Sequence, residues 1–197
     1  PTLLRKMSLL VVMACLGTVS ASEVTAEVLA AREWRTWGGP GGDVASAGPA
    51  SANLVVKPGD TIFLRAYNGN FLGVRDFQVG ARQSRKASAE AFKIEKRSVG
   101  DIYHGDRIFL TNSNGFRLAV NDDEVSCLNG QRGPRQELVI ERSERSGPMA
   151  HPIVVGDTIF LRAHTGNHID VVGETVKARF PRQGMGYHAF VVEKQPR

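Results

Sequence analysis

Three segments of this chain repeat one another almost letter for letter: GDTIFLRAYNGNFLGV from Gly59, GDRIFLTNSNGFRLAV from Gly105 and GDTIFLRAHTGNHIDV from Gly156. A repeat of this kind constrains the architecture more than any shorter motif does. It also separates two kinds of residue. Positions filled alike in all copies are demanded by the fold, and positions that differ are free for other work.

Counted from the opening glycines, the copies stay in register to Glu95, Glu141 and Glu193. The first strand of each copy alternates: Ile62 and Leu64, Ile108 and Leu110, and Ile159 and Leu161 share one face, while Thr61, Phe63 and Arg65 of the first copy point the other way. Asn68-Gly69, Asn114-Gly115 and Thr165-Gly166 then predict a two-residue hairpin, whose central positions require positive φ. A second strand carries Leu72 and Val74, Leu118 and Val120, Ile169 and Val171. A third carries Val79 and Ala81, Val125 and Cys127, Val176 and Ala178; a fourth carries Phe92 and Ile94, Leu138 and Ile140, Phe190 and Val192. Four strands in each of three copies predict twelve. Short half-apolar strands are relieved of exposed edges by closing into a barrel, and a propeller needs about four to eight blades.

Units of the form apolar-x-Leu, x-Gly-x-x-Leu/Ile-x-Val, Val-x-Ala and Phe/Leu-x-Ile/Val-Glu resemble, from Gly59 to Gln195, the fascin-like actin-crosslinking proteins. The resemblance implies an all-β fold of the β-trefoil type, a pseudo-threefold barrel of twelve short strands over residues 54–197, with repeats at 59–97, 105–143 and 156–195. It also implies an actin filament as partner and a cytoplasmic, cytoskeletal location.

The residues ahead of the repeats point elsewhere. Arg5 and Lys6 precede an apolar run from Leu9 to Gly17 that is too short to span a bilayer, and Val19-Ser20-Ala21 supplies the small residues a signal peptidase reads. A secretory signal over 1–21 and an extracellular protein are therefore expected. Residues 22–53 are expected to form a short helix, capped by Ser22 and running toward Trp37, and a flexible linker rich in Gly, Ala, Ser and Pro. With Cys15 removed, Cys127 is left without a disulfide partner, at a small core position matched by Ala81 and Ala178.

No GxSxG, HExxH, CxxC or Gly-rich phosphate loop occurs in the chain. Asp60, Asp106 and Asp157, and likewise Glu95, Glu141 and Glu193, recur in every copy, which marks them as turn and rim residues rather than an acid/base pair. No catalytic residue, no enzyme activity and no cofactor are expected. His164 and His168, with Asp170, are the candidate metal ligands, but two imidazoles and one carboxylate at this spacing do not assign a metal.

The segment between third and fourth strands is basic in each copy: Arg82, Arg85 and Lys86; Arg132 and Arg135; Lys177, Arg179 and Arg182. These eight are the candidate ligand-binding residues, forming a rim for an acidic protein or anionic glycan. Nucleic acid is disfavoured because no aromatics interleave with the cations, and the net charge is only +5. No repeat holds a tryptophan, so the Gln-x-Trp mechanism of ricin-type lectins is absent. The expected function is a secreted, non-enzymatic binding module for a polyanion or glycan; the alternative is a cytoskeletal actin-binding or bundling protein.

Overall fold

The computed structural model describes residues 54–181 and 186–195. The signal expected at 1–21, the helix and linker of 22–53, both tryptophans and Arg182 lie outside the described residues. Twelve strands follow in order: β1 (Thr61–Ala66), β2 (Phe71–Arg75), β3 (Gln78–Gln83), β4 (Phe92–Lys96), β5 (Arg107–Asn112), β6 (Arg117–Asn121), β7 (Glu124–Asn129), β8 (Leu138–Arg142), β9 (Thr158–Arg162), β10 (His168–Val172), β11 (Thr175–Phe180) and β12 (Phe190–Lys194). Helical structure among the described residues is limited to three-residue 3₁₀ turns, none able to cross a membrane.

All twelve strands belong to one antiparallel sheet that closes on itself, because β7 pairs back to β3 and β11. The β-trefoil expected from the repeat is corrected to this all-β antiparallel barrel. The expectation treated the first two strands of each copy as a hairpin unit. Instead, β1 and β2 share one registered pair, Arg65 with Phe71, whereas β1 pairs five residues with β12. β4 with β5 and β8 with β9 repeat that longer pairing, so Leu64, Leu110 and Leu161 face Val192, Ile94 and Ile140. Apolar residues at both positions of each pair make this register the one that fills the core.

The chain does turn at the expected glycines, where Gly69, Gly115 and Gly166 have positive φ and each N–H donates to the carbonyl three residues back, but those connections are four or five residues long. The two-residue connections are Asp76-Phe77, Asp122-Asp123 and Gly173-Glu174, between the second and third strands of each copy. Asp76 and Phe77 both adopt positive φ, 49° and 67°, as a type I′ turn requires. A bulky residue pays for that conformation in strain, and the compensation is visible. The Phe77 carbonyl accepts from Cys127 N–H, that of Asp123 from Ala178, and that of Glu174 from Ala81, so each copy's turn is tied to the next copy's third strand around the ring.

The inward apolar residues of all four strand types form one buried cluster. Val56, Ile102 and Ile153, three residues ahead of each opening glycine, complete it and extend the repeat beyond its opening glycines. Cys127 is fully buried and free of disulfide, and burial pushes its thiol pKa up to about 12, so it acts as a small apolar residue.

Candidate functional site

The repeated acids are built into the scaffold. Asp60, Asp106 and Asp157 each accept a hydrogen bond from the backbone N–H three residues earlier, at 2.7–2.9 Å, and each pairs with a cation from a fourth strand: Lys194, Lys96 and Arg142 respectively. Burial pushes the Asp157 pKa up, while the Val154 N–H and Arg142 pull it back. The repeated glutamates form a second set on the outer face. Glu193 lies opposite Phe63, Glu95 opposite Phe109 and Glu141 opposite Phe160. Arg65 and Lys86 hold Glu193, Arg117 and Arg132 hold Glu95, and Arg162 and His168 hold Glu141. Burial alone would raise the Glu95 pKa, but hydrogen bonds and charge from Arg117 and Arg132 win and hold it below the usual value.

The basic residues singled out in the sequence are thus largely spoken for. Lys86 and Arg132 belong to these clamps, Arg82 approaches Glu174 at 3.9 Å, Lys177 pairs with Asp123 and Glu124, and Arg179 grips the fully buried Asp170. Arg85 and Arg135 remain exposed. The candidate metal ligands do not converge: His164 is exposed, His168 is buried with Nε2 3.0 Å from Glu141, and Asp170 is engaged by Arg179. Among the described residues no group of three or more His, Cys, Asp or Glu could hold a metal. His168 packs instead against Phe160 and His188, with ring centroids 6.5 and 6.1 Å apart.

One outer feature breaks the threefold pattern. Where a fourth strand lies between two first strands, three residues sit side by side on the outer face: Arg107, Val139 and Arg162 at the second junction, and Thr158, Val191 and Arg65 at the third. At the first junction the same places hold Thr61, Lys93 and Thr111. Shortening the final arginine to threonine removes a long side chain from that wall. A cleft of about 730 Å³ opens there, lined also by Phe63, Lys86, Ser88, Asn112, Ser113 and Gln195. Its size falls in the range of about 300–1,000 Å³ typical of small-molecule sites.

The cleft holds unused polar capacity. Lys93 is exposed, and no ion pair involves it among the described residues. Lys86 in contrast is 2.5 Å from Glu193 and 5.4 Å from the Phe63 ring centroid. Thr111 lines the cleft but is only 8% exposed, and its hydroxyl oxygen is closed off from solvent with no hydrogen-bond partner. Such a group costs free energy in a native fold, and its retention asks for an explanation. Strand alternation puts Thr111 on the outer face at the place that Arg65 and Arg162 hold in the other copies, and that mismatch is the sequence signal for the cleft.

No protein-family model matches the chain, and no curated protein does. Solved structures do. A Caenorhabditis elegans protein of unknown function is similar at 15% identity and TM-score 0.62, over 73% of this chain and 98% of that one. The Saccharomyces cerevisiae protein O-mannosyltransferase Pmt1-Pmt2 complex, bound to its sugar donor, matches at 15% identity and TM-score 0.60, over 82% of this chain but 27% of that one. The SDF2-like protein of Arabidopsis thaliana matches at 10% identity and TM-score 0.57, over 71% and 95%. At these identities the likeness is one of fold, and function has to be argued from the site.

Proposed function

We propose that the chain is a non-enzymatic binding module whose ligand occupies the cleft between β1, β4 and β5, in a protein that the expected signal sequence directs out of the cell. The observation that carries this reading is the break in the repeat: Thr61, Lys93 and Thr111 stand where the other junctions have valine in the middle and arginine at the end. A scaffold alone would be served equally well by three equal rows. The acids that recur are occupied in turns and ion pairs, and the cleft holds hydroxyls, amides and amines without a partnered nucleophile and base. Binding therefore suits its chemistry better than catalysis does.

The test is amide chemical-shift mapping of the whole chain during titration with a panel of neutral and anionic oligosaccharides and acidic peptides. Shifts centred on Thr61, Lys93 and Thr111, abolished by Thr111→Arg, are expected. Shifts centred on the exposed Arg85 and Arg135 loops would instead restore the basic rim as the binding surface.

A further inference from the structure

We propose that Asn114 is a site of spontaneous covalent modification, at which the chain converts its own asparagine to aspartate and isoaspartate. The chemistry belongs to the Asn-Gly pair. The backbone nitrogen of the glycine attacks the side-chain amide carbon of the asparagine; a nitrogen–carbon bond forms, the bond to Nδ2 breaks, and ammonia leaves with the proton that the glycine nitrogen gives up. Water then opens the cyclic imide at either carbonyl. Glycine in the following position favours the step, because it has no Cβ to crowd the approach. The chain has three such pairs: Asn68-Gly69, Asn114-Gly115 and Asn129-Gly130.

Comparison of equivalent turns selects Asn114. Asn68 and Asn114 hold the same place between the first and second strands of their copies, and in both the glycine N–H donates to the carbonyl three residues back, that of Ala66 or Asn112. The attacking nitrogens are therefore restrained alike. The side-chain amides are not. That of Asn68 is fixed at both ends, Oδ1 accepting from Asn70 N–H at 2.9 Å and Nδ2 donating to the Gly173 carbonyl at 2.7 Å. In the second copy the turn is held instead by the buried Asn112, which stands where the other copies have Ala66 and Ala163. Its Oδ1 accepts from Asn114 N–H and Phe116 N–H, both at 3.0 Å. The Asn114 side chain is left exposed and makes no hydrogen bond among the described residues. The third copy has Thr165 at this place and cannot react. Asn129 lies in β7 in register with Arg117, where the strand ladder resists the backbone rotation that cyclisation needs.

Swinging the Asn68 amide toward its glycine breaks two hydrogen bonds, and swinging that of Asn114 breaks none. At the typical net strength of such bonds this separates the rates by roughly 30-fold. The product carries a new negative charge and, as isoaspartate, one more backbone carbon, beside the cleft-lining Asn112 and Ser113. One fold then exists in two covalent forms that differ at the cleft wall. The reaction itself does not depend on what the cleft binds.

The experiment incubates the full folded chain at mildly alkaline pH and follows the three pairs by mass spectrometry in their separate tryptic peptides, 66–75, 108–117 and 118–132, with isoaspartate counted by enzymatic methylation. Asn114 is expected to react first, roughly 30-fold faster than Asn68. In chain held unfolded by guanidinium chloride the two rates should converge, since both residues precede glycine and no turn restrains either. Asn114→Thr, the residue type of the third copy, should remove the signal from 108–117; a signal that persists would place the reaction at Asn112 and overturn the proposal. Equal rates in the folded chain, reaction at Asn68 or Asn129 ahead of Asn114, or reaction at none of the three would overturn it as well. So would a rate difference that survives unfolding, because it would belong to the local sequence and not to the turn.

Discussion

At the second junction of the barrel Arg107, Val139 and Arg162 close the outer face, and at the first junction Thr61, Lys93 and Thr111 leave it open. The backbone pairing under the two rows is the same, and the inward neighbours match: Ile62 opposite Phe92, and Ile108 opposite Leu138. The difference lies wholly in outward side chains. Threefold repetition therefore binds the chain on the inside, where a one-residue slip would turn every core residue outward, and leaves single outer rows free to diverge. A site on such a scaffold shows itself as a departure from equality.

If the interior is under equal demand, damage there should be large in every copy, and the buried ion pairs provide the sharpest case. Arg142 and Asp157 are each only 5% exposed at the side chain. Arg142→Ala strands the carboxylate and should cost about 3–5 kcal/mol in chemical denaturation. Lys96→Ala, whose partner Asp106 is 24% exposed, should cost less. Equal costs would mean that burial does not grade these two copies.

Next come Leu64, Leu110 and Leu161, all 0% exposed. Each change to Ala should cost about 2–5 kcal/mol by the same measurement. A much smaller loss at Leu110 alone would show that the junction with the cleft is also softer inside, which would blur the contrast between inner and outer faces.

The contrast explains what the sequence made legible. Ile62, Leu110, Ala178 and their copies were readable as core because burial of alternate residues is a local pattern. Which strands pair was harder, since β1 joins β12 across more than a hundred residues and a hairpin with β2 is the nearer guess. The basic segments were visible but their neutralisation was not: Arg132 meets Glu95, and Lys86 meets Glu193, through the fold. The cleft was half visible, as a Thr at position 111 against Arg65 and Arg162, and invisible as a volume.

A smaller change should separate function from scaffold. Lys93→Val gives the first row the residue type of Val139 and Val191. Stability should move by no more than about 0.5 kcal/mol, since Lys93 is exposed and makes no ion pair among the described residues. Loss of ligand binding at unchanged stability is the expected pair of results, read by calorimetry and denaturation on the same sample. A large stability loss would make Lys93 part of the scaffold after all.

The smallest effect expected is electrostatic and concerns Glu95, whose two clamping arginines come from the second copy. Because Arg117 and Arg132 hold its folded pKa below the unfolded value, 4.5, the folded state binds fewer protons than the unfolded state in that interval. Its contribution is fully present above pH 4.5 and is lost as pH falls through the lowered folded value. Glu95→Gln should therefore flatten the acid side of the stability curve below pH 4.5, with a uniform offset above it. Asp170 should act in the opposite sense: burial raises its folded pKa in spite of Arg179, so it favours the folded state most at low pH and loses that advantage as pH rises past its unfolded value of 3.8. Denaturation of wild type, Glu95→Gln and Asp170→Asn between pH 2.5 and 7 resolves the two slopes. An unchanged acid slope in Glu95→Gln would show that the arginines are held by the barrel for its own packing and lend the carboxylate no net stabilisation. The threefold glutamate clamps would then be shape rather than charge, and Lys93, with no acid of its own among the described residues, would differ from the other outer cations less than its geometry implies.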